Sequence, residues 1–124
     1  MPIQLAVAAG GALGALARYL VDRAIEARAF GLFPWSTFTI NLSGCFVVGA
    51  VVAALVDRHH TPEWLRVGLV MGVLGGYTTF STFSYETVRL LEDGAVAEAT
   101  LNVAGSLTLG LAAAAAGLGL GLLA

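Results

Sequence analysis

The sequence predicts an all-α membrane protein with four transmembrane helices, the third of them broken. Three observations carry that prediction. Hydrophobic residues make up 58% of the 124-residue chain and charged residues 11%, where a soluble domain is about half apolar and about a quarter charged; the mean hydropathy is +0.87. Four apolar stretches, each long enough to cross a bilayer, fill nearly all of residues 1–124 and leave room for a single transmembrane domain only. The third stretch is interrupted by Gly75-Gly76-Tyr77-Thr78-Thr79-Phe80-Ser81-Thr82-Phe83. Glycines and hydroxyls in mid-membrane are costly in lipid. They survive where broken backbone lines a cavity, binds an ion or meets a partner.

The first helix is expected over about 3–25, with Arg18 inside it. Ala15-Leu16-Ala17 mimics a signal-peptide cleavage site. No positive charge precedes it, however, and Gly10, Gly11 and Gly14 suit helix packing, so the helix is expected to be retained. Phe33-Pro34-Trp35 reads as an interfacial aromatic belt near the next helix start. The second helix is expected over 37–56, followed by the polar turn Asp57-Arg58-His59-His60. Thr61-Pro62-Glu63 offers a capping hydroxyl, a proline at the first position and an acid in the first turn, which places the third helix over 62–91, broken near Gly75 to Thr79. Glu92-Asp93-Gly94 makes a turn, and the fourth helix covers 96–123.

An even number of spans puts both termini on one side. That side carries Arg58 and Arg66; the other carries Arg23, Arg28 and Arg89, with Arg18 if it counts. The arginine bias that orients membrane proteins is therefore weak. It accommodates a chain that inserts both ways and pairs antiparallel, and equally one orientation set by a slight excess. Small residues recur four apart at Gly10 and Gly14, at Gly68, Gly72 and Gly76, at Ser106, Gly110 and Ala114, and at Gly117 and Gly121. Such stripes let helix backbones approach closely and point to an oligomer.

Several chemistries are excluded. The net charge of −2 gives no footing for nucleic acid, and no Gly-Lys-Ser/Thr follows the glycines. His59-His60 reads as a solvated pair rather than a metal site. No credible catalytic set is present, so the chain is not read as an enzyme.

The intramembrane polar set is Thr37 and Asn41 on one helix face, the hydroxyl run Thr78 to Ser84 in the third helix, and Asn102 with Ser106 on another face. Neutral donors replace water around a small anion without holding it as a fixed cation would, which is the compromise conduction needs. The plainer reading, hydrogen bonds between helices, stays open. Phe80 and Phe83 share a face; ring edges carry positive potential and suit an anion path, although such pairs also serve packing. The break frees carbonyls near Gly75 and Thr78, groups that bind cations. Glu86 and Arg18 are the charges deepest in apolar sequence. Arg18 pairs with Glu86 or Asp22, or raises anion concentration at a pore mouth.

Three segments resemble the Fluc (CrcB) family of small fluoride channels: Gly10-Gly11-Ala12-Leu13-Gly14-Ala15-Leu16-Ala17-Arg18-Tyr19, Asn41-Leu42-Ser43-Gly44-Cys45-Phe46, and Gly75 through Glu86. The last is the most specific. The resemblance implies an antiparallel, dual-topology homodimer in the lipid bilayer with two fluoride pores. Phe80, Phe83, Asn41, Thr37, Thr79, Ser81, Ser106 and Asn102 fall at or beside its pore. Arg18 and Glu86 take its charged positions, and the Gly75 and Thr78 carbonyls take a central structural sodium ion. Some members carry Tyr where Asn102 stands. The size and lack of a targeting sequence suit a multi-pass protein of a prokaryotic inner membrane. The competing function is a small proton-coupled multidrug or guanidinium transporter, which wants a carboxylate in mid-helix one, where no acid precedes Asp22.

Overall fold

In the computed structural model the described residues, 1–56 and 60–124, are helical apart from short connections. Asp57, Arg58 and His59, and with them most of the expected polar turn and one side's arginine, lie outside the described residues. Helix α1 is Ile3–Glu26. Helix α2 is Trp35–Val51 and continues as a π-helical turn, Val52–Val56. Helix α3 starts as Glu63–Val67, widens into a π-helical stretch, Gly68–Leu74, and ends as Gly75–Tyr77. Helix α4 is Phe80–Glu92 and α5 is Val96–Leu122. The spans α1, Trp35–Leu55 and α5 are each long and apolar enough to cross a membrane. The 13 residues of α4 reach only about 20 Å, and α3 and α4 follow one another where the sequence leads one to expect the broken third crossing.

Two starts differ from expectation. The second helix begins at Trp35 rather than Thr37, and Phe33, Trp35 and Phe38 meet tilted and edge-to-face in one aromatic cluster with ring centroids 4.6–6.0 Å apart. Thr61 does not cap α3. Its hydroxyl donates to the Leu55 carbonyl at 2.9 Å, tying the turn back to α2, and Pro62 takes the capping position with its carbonyl accepting from Leu65 and Arg66. The α4–α5 turn follows from local chemistry. Gly94 adopts φ +78°, the Ala95 N–H donates to the Leu90 carbonyl at 2.8 Å, and the Gly94 N–H donates to Leu91 at 3.1 Å. Leu90 and Ala95 pack together beneath this Schellman turn.

Packing is dominated by two side-by-side pairs, α1 with α3 and α2 with α5. Each pair runs parallel, because contacts advance in the same direction along both chains. Gly10 meets Gly68 and Gly14 meets Val73 on one seam; Phe46 meets Gly117 and Ala50 meets Gly121 on the other. The four-spaced small residues, Ser106 apart, form these seams within the chain. A Cβ at Gly14 would overlap the Val73 carbonyl, and one at Gly117 would overlap the Phe46 carbonyl, both rigid backbone. Gly117→Val is therefore expected to destabilise the protein by at least ~1–3 kcal/mol, read as a lowered aggregation temperature in detergent. Large apolar side chains such as Leu13, Leu16, Leu107 and Leu111 face outward while most buried residues are small, with Ile40, Leu74, Leu90 and Asn102 as the larger buried side chains, as close helix packing in lipid requires.

Candidate functional site at the helix break

Between α3 and α4 the backbone leaves the helical path at two residues, Thr78 (φ −83°, ψ 158°) and Thr79 (φ −150°, ψ 110°), a narrower break than Gly75 to Thr79. Both are β-branched and comfortable in extended backbone. The hydroxyls rebuild what the break removes. Thr78 directs both its N–H and its Oγ1 to the Leu74 carbonyl at 3.0 Å. Thr79 caps α4: its Oγ1 accepts from the Thr82 N–H at 3.1 Å and donates to Thr82 Oγ1 at 2.9 Å.

Asn41 of α2 holds the break open. Its Oδ1 accepts from the Thr79 N–H at 2.8 Å and its Nδ2 donates to the Thr79 carbonyl at 2.9 Å. The side-chain amide thus replaces one rung of helix. In an unbroken helix the Thr79 N–H would donate to the Gly75 carbonyl and the Thr82 N–H to the Thr78 carbonyl. Those donors go to Asn41 and to Thr79 Oγ1 instead, which releases the Gly75 and Thr78 carbonyls. Tyr77 closes the end of α3 onto α2: its hydroxyl lies 2.9 Å from Ser43 Oγ, and Ser43 donates to Ile40 at 3.0 Å. Gly44 lies directly under Thr78, where a Cβ would overlap the Thr78 methyl.

Beside the break lies a groove of about 580 Å³. Asn41, Gly75, Thr78, Thr79, Phe80, Phe83 and Ser106 all line it, so residues from three separate stretches of sequence converge there. Phe80 and Phe83 have ring centroids 5.8 Å apart at 43°, and Phe80 is 79% exposed. Val48, Val70, Leu74, Val103 and Leu107 line the rest, so the groove is mostly apolar with a few polar groups and a phenyl wall at the break, and it opens on the face of the helix bundle.

A model of the family described as CrcB-like protein, camphor resistance (CrcB), matches residues 5–118. The chain belongs to the CrcB-like family. Among its curated relatives, the "Fluoride-specific ion channel FluC" of Geobacter sulfurreducens is 48% identical over 107 residues, 86% of each chain. The protein of the same name from Solibacter usitatus is 45% identical over 109 residues, 88% of this chain and 89% of its own. That of Acidobacterium capsulatum is 48% identical over 109 residues, 86% of each.

In this CrcB-like chain the remaining candidate residues lie elsewhere. Thr37 is buried, and Glu86 Oε1 is buried with no hydrogen-bond partner among the described residues. Asp22 accepts from the Ser36 hydroxyl. Arg18 pairs with neither Asp22 nor Glu86 among the described residues, where the ion pair seen is Arg89–Glu92 at 3.8 Å. Ser81 is exposed and sits 3.4 Å from Thr79 Oγ1. Asn102 is 1% exposed and touches the groove only through Ser106. Sequence reasoning assigned no role to Tyr77, Ser43, Gly44 or Thr87. The signal available for Thr87 was its spacing of four residues from Phe83, whose carbonyl it bonds at 2.8 Å.

Proposed function

We propose that this protein is a passive, fluoride-selective channel of the cell's inner membrane, working as an antiparallel homodimer with two pores. The observation that carries the reading is the groove in which Asn41, Thr79, Ser106, Phe80 and Phe83 meet at the helix break, in a chain whose relatives are named fluoride-specific channels. Neutral amide and hydroxyl donors and phenyl edges replace the water around a small anion without trapping it. Fluoride that enters as the neutral acid and dissociates inside leaves down its gradient, so no coupling group is needed.

The homodimer is supported by the groove itself. The amide and hydroxyls of Asn41, Thr78, Thr79 and Ser106, set in an otherwise apolar groove on an outward face, cannot lie against hydrocarbon without cost, and a second copy is the cover that buries them. The released Gly75 and Thr78 carbonyls are a neutral oxygen donor set suited to a hard cation. Their position at the groove fits a sodium ion at the interface, which would neutralise the converging dipoles and hold the two breaks together. Replacing sodium by N-methylglucamine throughout preparation is expected to lower dimer stability and flux; unchanged behaviour would remove sodium from the proposal.

The direct test is fluoride efflux from liposomes carrying the purified protein, followed by electrode beside a chloride control. Fast fluoride loss with chloride retained supports the channel. No flux of either ion from dimeric protein in sodium buffer sinks it.

A further inference from the structure

Asn102 is buried between α4 and α5, and both ends of its amide are in use. Nδ2 donates to Thr87 Oγ1 at 3.0 Å, and Oδ1 accepts from Ser106 Oγ at 3.3 Å. Thr87 Oγ1 in turn donates to the Phe83 carbonyl at 2.8 Å. A hydroxyl has one proton. Because Thr87 gives its proton to Phe83, it presents only lone pairs to Asn102. The amide must therefore turn its NH₂ toward Thr87 and its oxygen toward Ser106. Ser106, which lines the groove, is left with its proton aimed at Asn102 and its lone pairs free.

We infer that Asn102 is a positioning residue that sets the direction of the Ser106 proton, with Thr87 as the fixed end of the chain. The inference rests on the channel reading and deepens it. A resting Ser106 offers an anion the wrong polarity. To coordinate the ion it must rotate its O–H away from Asn102 Oδ1. The 3.3 Å bond is the longest of the three, so it is the link that yields. Each ion passing Ser106 competes with Asn102 for one proton, and the competition keeps the ion from binding too tightly. Asn102 reaches the ion only through Ser106.

Removing the Thr87 acceptor frees the amide to turn. Its NH₂ then donates to Ser106, whose own proton is released to the groove. Efflux measured over a series of fluoride concentrations is expected to show Thr87→Val lowering the half-saturating concentration by roughly twofold to tenfold, the worth of one net hydrogen bond. Thr87→Ser keeps the acceptor and restores the wild-type value. In a Ser106→Ala background, Thr87→Val has no further effect. Thr87→Ala, which also removes the acceptor, stands in should the valine chain fail to assemble. An unchanged or raised half-saturating concentration, or an equal shift with and without Ser106, overturns the inference while leaving the channel in place. No fluoride flux in the wild type overturns the channel reading and this inference together.

Discussion

Replacing Phe83 with isoleucine is expected to cut fluoride efflux at least about tenfold while the dimer still assembles. Phe83 lines the groove beside Phe80, with ring centroids 5.8 Å apart. Isoleucine is apolar and only somewhat smaller, so the packing cost stays near that of a core swap, under about 1.5 kcal/mol. What it lacks is the ring quadrupole, whose positive edge is the feature an anion can use. A loss of about 1.4 kcal/mol of ion stabilisation is a tenfold loss of occupancy. Phe80→Ile is expected to act in the same direction, since Phe80 is the more exposed of the pair. Efflux from liposomes at matched protein density, with size-exclusion profiles beside it, separates lost conduction from lost assembly. Wild-type rates in both variants would show that the phenyl wall serves packing or partner contact alone.

The helices were legible because length and hydropathy decide them, and the seams were legible because small residues repeat every four positions. Gly10, Gly14, Gly117 and Gly121 all sit where backbone meets backbone. Local signals failed where another element competed for the same group. The Thr61-Pro62-Glu63 pattern reads as a cap, yet the Thr61 hydroxyl is taken by Leu55 on the preceding helix. Arg18 and Asp22 stand one turn apart, yet Asp22 accepts from Ser36 across the bundle. The break was visible as a glycine and hydroxyl run, but its exact residues were not. Any of five residues suits extended or irregular backbone; Thr79 is selected by an asparagine 38 positions away. The pairing of Asn102 with Ser106 followed from helical spacing, whereas its link to Thr87 depends on how α4 and α5 fold together at the Gly94 turn.

Asn41→Asp is expected to abolish fluoride flux, and it separates the two tasks that Asn41 performs. The aspartate keeps an oxygen for the Thr79 N–H but loses the donor that reaches the Thr79 carbonyl, now made at 2.9 Å. One net hydrogen bond of about 1 kcal/mol goes with it, and a carboxylate next to a carbonyl oxygen adds repulsion. The larger effect falls on the ion. A fixed negative charge about 4 Å from an anion opposes it by about 4 kcal/mol at an intermediate dielectric, close to a thousandfold. Asn41→Ala removes both hydrogen bonds without adding charge. It leaves the Thr79 N–H and carbonyl without their clamp, which frees the N–H to return to Gly75 and close the helix. The alanine chain should therefore lose conduction through a changed break, with reduced stability of the assembly, whereas the aspartate chain should lose it with most of the assembly retained. Flux and detergent stability measured together on both variants distinguish these routes. Full flux in the aspartate variant would place Asn41 outside the ion path and leave it only as the clamp of the break.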